Sequence, residues 1–214
     1  LKGLTFCRNL SQVERGVDYP FASSSIPIRW PNGRLDAGLG FGLVWDSRDN
    51  TTATLRGTLV KIEYRGSLVQ DRGHGYSGTI AELKVFREPL PGCVTGTNVL
   101  VRDVRGDVPF YLLPYLGGLE RLRGYELQRF IGRSCALIQQ DIRFPIWRMI
   151  GGCMFAAVGR VGDRPGDLFE GRYHFAGGAG LRWYLNRDDG MVLRFDSAYG
   201  DGASGTYISF GEAF

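Results

Sequence analysis

Nowhere in the 214 residues is there an apolar run approaching the length a membrane-spanning helix demands, about 20 residues, although 43% of the chain is hydrophobic. Such a composition crosses a membrane only as a barrel of strands. Histidine is scarce: His74 and His174 stand far apart, and Cys7, Cys93, Cys135 and Cys153 show no CxxC spacing. A zinc site is therefore not expected, nor any other cofactor. If Cys135 and Cys153 lie on the two arms of a hairpin turning near Trp147, Cys153 falls opposite about Arg143, so those two cysteines do not bond; a Cys7 to Cys93 bond is geometrically open. The net charge of +4 comes without a Lys/Arg run, and acidic residues alternate with arginines along the same faces, so nucleic acid is not an expected partner. No Ser-His-Asp set is evident, and an enzyme is not expected. Leu1-Lys2-Gly3-Leu4 lacks the basic and apolar segments of a secretion signal, as in a mature or trimmed form.

What the chain does have is alternation. In Met191 to Gly200, the residues Met191, Leu193, Phe195 and Tyr199 share one face, and Val192, Arg194, Asp196 and Ala198 the other, the period of a strand. Ile208, Phe210 and Phe214 repeat the apolar face, as do Phe175, Leu181, Trp183 and Leu185. Leu39, Phe41, Leu43 and Trp45 alternate with Gly38, Gly40, Gly42 and Asp46; Val60, Ile62 and Tyr64 alternate with Lys61, Glu63 and Arg65; Ala81, Leu83 and Val85 oppose Glu82 and Lys84. Opposite charges and glycines on one face make a poor dry core. They suit the polar lumen of a transmembrane barrel whose outer band is apolar, and the 32 glycines suit strands that bend and pack closely.

The sequence therefore reads as an all-β, transmembrane antiparallel β-barrel. Residues 1–36 form an N-terminal segment, irregular from Leu1 to Ser25, with one short strand expected over Ser24 to Trp30 before the Pro31-Asn32-Gly33 turn. Residues 37–214 form the barrel domain. About nine strands follow Ala37, whereas closed single-chain barrels of bacteria have even numbers, so either the segment before Pro31 supplies a tenth or the chain is part of a larger barrel. A proline-bearing turn is expected over Glu88 to Gly96. With Phe214 at the periplasmic end, the longer links Gly66 to Tyr76, Arg105 to Arg133 and Val161 to Arg172 fall outside, and the shorter Pro145 to Met149 and Asn186 to Gly190 fall inside. His74 reads as solvated.

The loop 105–133 is the longest connection, and a loop so long is usually functional or disordered. Its stretch from Val108 to Gly118 is too apolar for solvent, so part of it is expected inside the barrel or against its rim. The tip, Leu122-Arg123-Gly124-Tyr125 after Leu116-Gly117-Gly118, resembles the Val/Ile-Arg-Gly-Phe/Tyr tip of the inward-folded loop in the BamA superfamily, the bacterial surface antigen barrels. Trp45-Asp46-Ser47-Arg48-Asp49-Asn50, Gln140-Asp141-Ile142-Arg143-Phe144-Pro145, Gly178-Ala179-Gly180-Leu181-Arg182-Trp183 and the closing Ser209-Phe210-Gly211-Glu212-Ala213-Phe214 agree in order.

The resemblance implies the C-terminal part of a sixteen-stranded outer-membrane barrel, or a compact relative of eight to ten strands. Its relatives insert barrel proteins into the membrane or translocate polypeptides. It further implies a bilayer setting, unfolded barrel proteins as clients, and periplasmic or lipoprotein accessory subunits. In the relatives the loop arginine reaches an aspartate in a Phe-x-Asp-x-Gly pattern; here Phe155-Ala156-Ala157-Val158-Gly159 has Ala157 instead. Asp141, inward on the neighbouring strand with Arg143 beside it, is the candidate substitute for holding Arg123, Gly124 and Tyr125 in place. Phe210 and Phe214 would lie at a weakly zipped seam between first and last strands. Insertase, secretion channel and non-transporting anchor are the three functions open to such a chain.

Overall fold

A computed structural model describes residues 2–9, 35–69, 75–186 and 191–214. Ten strands form one antiparallel sheet in which every neighbour in sequence is a neighbour in space: β1 (Lys2–Asn9), β2 (Leu35–Asp46), β3 (Gly57–Val69), β4 (Tyr76–Leu90), β5 (Cys93–Gly106), β8 (Ser134–Trp147), β9 (Ile150–Gly162), β10 (His174–Asn186), β11 (Met191–Gly200) and β12 (Ala203–Phe210). A separate two-residue pair, β6 (Tyr115–Leu116) and β7 (Phe130–Ile131), lies within the link from β5 to β8. Among the described residues the sheet is open, with β1 at one edge and β12 at the other.

The side chains sort as the alternation requires. Phe41, Trp45, Phe175 and Phe210 are 60 to 75% exposed on the outer face, while Arg182, Arg194 and Asp196 are no more than 2% exposed within. This inverts a soluble protein, in which apolar groups gather inside and unpaired charge is expelled. The inner charges of β3 and β4 form short ladders: Glu63 pairs with Lys61 at 3.1 Å and Arg65 at 3.2 Å, and Glu82 with Lys84 at 3.4 Å.

Two-residue turns close three hairpins, each with a residue at positive φ: Gly92 (77°), Arg148 (42°) and Gly202 (72°). Only the Arg148 turn, with positive φ at its first central residue, has the pattern that matches strand twist; at Gly92 and Gly202 glycine takes the positive φ at the second position. The links are unequal at the two ends. At the end where β12 finishes lie 91–92, 148–149 and the longer 47–56; at the other lie 107–133, 163–173 and the two-residue 201–202, so the two longest described links share one end.

Several expectations change. Lys2–Asn9 is a strand rather than irregular, pairing with β2 from Lys2 opposite Gly42 to Asn9 opposite Leu35. Eight residues carry too little periodicity to be read alone, and the neighbouring ladder supplies what the pattern does not. It is thus this stretch that makes the tenth strand; Ser24 to Trp30, the Pro31 turn, His74 and 187–190 lie outside the described residues. The turn expected over Glu88 to Gly96 shrinks to Pro91 and Gly92, because β4 runs through Pro89 with a shift of register between Arg87 and Leu90, a defect at which a missing N–H is tolerated. Likewise β8 runs through Pro145 to Trp147, and β3 continues to Val69.

Phe214 does not share the outer face with Ile208 and Phe210. The strand ends at Phe210, Gly211 adopts φ 79°, and the last residues turn inward. The Phe214 ring then lies 6.1 Å from that of buried Phe86, and Ala213 is buried. The β2 to β3 link meets this tail: Glu212 N donates to Thr52 O at 3.3 Å. Cys93, Cys135 and Cys153 are free thiols, and Cys153 stands opposite Arg143 in register.

Candidate functional site: the loop tip inside the sheet

The link 107–133 turns in over the concave face because its apolar residues have a core to join. Val108 and Leu113 pack with Tyr76 and Val104, and Leu116, Leu122 and Tyr125 pack with Leu100, Leu137 and Ala176. The tip needs two residues of left-handed backbone, Leu122 (φ 56°) and Gly124 (φ 113°). At Gly124 a side chain is excluded twice over, since a Cβ would also sit 2.8 Å from the Tyr199 carbonyl carbon.

Arg123, between these two, is 2% exposed and fully engaged. Its Nη2 donates to Asp141 Oδ1 at 2.6 Å, its Nη1 donates to Asp196 Oδ2 at 2.7 Å, and its guanidinium lies 3.6 Å from the centre of the Phe155 ring. Two charge-assisted bonds and a ring face meet the cation from three strands, β8, β9 and β11. Ala157, where the family resemblance places a carboxylate, makes an apolar contact with the Leu116 and Leu122 cluster instead.

The rest of the tip is bound as tightly. Leu122 N donates to Gln139 Oε1 at 3.0 Å, and Gln139 Nε2 donates to Glu120 O at 3.0 Å. Gly124 N donates to the Tyr207 hydroxyl on β12 at 3.0 Å. The Tyr125 hydroxyl donates to Phe175 O at 2.9 Å and accepts from Asp201 N at 2.7 Å. Burial pushes the Tyr125 phenol above its ordinary range, with Arg172 opposing.

Asp196 extends the site toward the other end of the sheet. It also accepts from Arg182 at 2.6 Å and lies 3.4 Å from Arg194 Nε; Arg182 in turn reaches Glu212 of the tail at 2.9 Å. Gly180, paired with Asp196 in register, makes this possible, because a Cβ there would overlap the Asp196 carboxylate. Four buried arginines and three carboxylates thus form one network, viable only because nearly every charge has a partner.

The structure therefore brings Arg123, Gly124, Tyr125 and Asp141 together and leaves Arg143 out. Arg143 does not touch the loop; its Nη1 donates to Thr54 O at 3.2 Å and lies 3.8 Å from Glu212. Its row on β8 is one step nearer the tail, and the β2 to β3 link occupies it. Phe210 stands on the outer face of the edge strand β12, while Phe214 packs inside. Sequence reasoning did not single out Asp196, Gln139, Tyr207 or Glu212. Asp196 did carry a signal, an acid two residues from Arg194 on an inner face opposite a glycine.

An antiparallel sheet with an apolar exterior, a charged interior and a long loop against its inner face is the all-β arrangement of barrel proteins, open among the described residues between β1 and β12. The solved structure of BamA from Haemophilus ducreyi lacking POTRA domains 1–3 has this fold, with a TM-score of 0.67 and 15% sequence identity over 87% of the present chain. The chain covers 44% of that structure. No family profile and no curated protein sequence matches it.

Proposed function

We propose that this protein is an integral outer-membrane barrel that helps other barrel proteins insert into the bilayer. The observation that carries the reading is a sheet apolar outside and charged inside, with β1 and β12 as its edges among the described residues, while an internal loop braces its wall through Arg123. An unpaired edge is a template for another chain's strand. Clients are unfolded barrel proteins, which would zip onto such an edge, with lipoprotein or periplasmic subunits as accessories. The end where β12 finishes, with the tail, would face the periplasm and the two longest links the exterior. No covalent chemistry is involved.

A second reading is a polypeptide channel, favoured by the position of the loop: residues 107–133 fill the concave face and would have to move for passage. The anchor reading is the weaker one, since the buried network around Arg123 is complete despite Ala157.

The test is the folding rate of a small outer-membrane client in liposomes containing the chain or its Arg123→Ala variant, each first shown to be folded by a heat-modifiable gel shift. Acceleration by the parent that the variant loses supports assembly. No acceleration by a folded parent removes it.

A further inference from the structure

A second group of cations lies away from the Arg123 network, on the side of the loop facing β3 to β5. Arg121 precedes the tip by two residues, and its guanidinium is 5.1 Å from the centre of the Tyr115 ring. It forms no ion pair among the described residues, and its Nη1 is buried with no hydrogen-bond partner. Arg102, on the inner face of β5, is in the same condition at Nε, and it lies within electrostatic range of Arg121, Tyr115 and Arg65. In register, Arg102 sits across Ile80 from Glu63, but Glu63 is already engaged by Lys61 and Arg65. Elsewhere on the inner face arginines find carboxylates; here two lie close enough to repel one another.

Beside Arg121 the loop encloses a half-open cavity of about 250 Å³, lined by Tyr115, Gly117, Leu119, Glu120, Arg121 and Leu127. Leu127 is 69% exposed, an apolar wall left open to an incoming side chain. Whole small molecules usually occupy sites of about 300–1,000 Å³, so this one has room for the side chain of a larger molecule and not for a free metabolite.

We propose that this cavity binds an acidic residue of a polypeptide, flanked by aliphatic residues. Arg121 lines the cavity with its guanidinium over Tyr115, a cation with a donor still unpartnered that one carboxylate would satisfy, and Leu119 and Leu127 take the neighbouring side chains. Glu120 on the rim repels a second acid, which sets the preference at one acidic residue between apolar ones rather than an acidic run. The cavity belongs to a loop on the inner face, away from the lipid-facing band, and this favours a peptide over a lipid headgroup. The proposal stands apart from barrel assembly, because peptide binding is read at equilibrium with no client folding.

The experiment uses the full chain in nanodiscs and a fluorescent peptide, acetyl-Ala-Leu-Glu-Leu-Ala-amide, followed by anisotropy. Saturable binding is expected, weakened about tenfold or more by Arg121→Gln and by replacing the peptide's Glu with Gln, the size of one charge-assisted contact. Arg164→Gln, in the link 163–173, should leave it unchanged. Leu127→Asp, at an exposed position that folding tolerates, should abolish binding by placing a like charge on the opposite wall. No saturable binding, equal affinity for the Gln peptide, or indifference to both loop variants overturns the proposal. So does loss of peptide binding when phosphatidylglycerol replaces neutral lipid, which would assign the site to a headgroup.

Discussion

Asp196 is the residue on which most of the buried charge converges. Asp141 accepts from Arg123, whereas Asp196 accepts from Arg123 and Arg182 and lies near Arg194. Breaking a buried pair by removing one partner costs about 3–5 kcal/mol, because the remaining charge is left uncompensated. Both Asp141→Asn and Asp196→Asn should therefore lower stability by amounts of that order, and Asp196→Asn by more, measured as the midpoint of denaturant unfolding in detergent. Equal midpoints would mean that lumen water, and not Asp196, solvates the arginines. Tyr125 gives a pH test. Its phenol is pushed up in the folded state, so the stability it contributes is complete below the ordinary tyrosine range, about 10, and is lost as pH rises through the higher folded value. Titration of tyrosinate absorbance should show a late-ionising phenol that Tyr125→Phe removes.

At the scale of elements, the loop 107–133 and the tail after β12 are the two segments that leave the ladder and enter the concave face. They are held by the same network, through Arg123 and Glu212 on either side of Arg182 and Asp196. Replacing Gly124 by Val should unseat the tip, since both φ 113° and the 2.8 Å approach to Tyr199 forbid the side chain. Protease nicking within the link, absent in the parent, would report it. The apolar run Val108 to Gly118 made the inward fold of this loop legible in the sequence, and the Arg-Gly pair marked its tip. That its second anchor comes from β11 was not legible, because nothing local links residue 123 to residue 196; the sheet's curvature brings them together.

For the molecule as a whole, the outer face carries exposed large apolar residues on strand after strand, and contiguous apolar surface of this kind marks contact with a membrane or a partner. Trp45, Trp147 and Trp183 stand on it, 48 to 63% exposed. Brominated lipids should quench much of the tryptophan fluorescence of the reconstituted chain, and Trp183→Phe should lower the quenched fraction; emission indifferent to the lipid would place these faces against protein or water.

What the sequence by itself determined was most of what has a period of two: which faces are apolar, which carry charge, and the course of the strands after Ala37, though not their ends. The alternation of β11 reads directly because each residue's face depends only on its position in the strand. Tertiary structure decided what depends on distant residues: the pairing of Lys2–Asn9 with β2, the addition of Asp196 to Asp141 as a partner of Arg123, the exclusion of Arg143 from the loop, and the inward turn of Phe214 against Phe86. Each of these is a contact between elements, set by curvature and register across many strands, and neither quantity is written in any single segment.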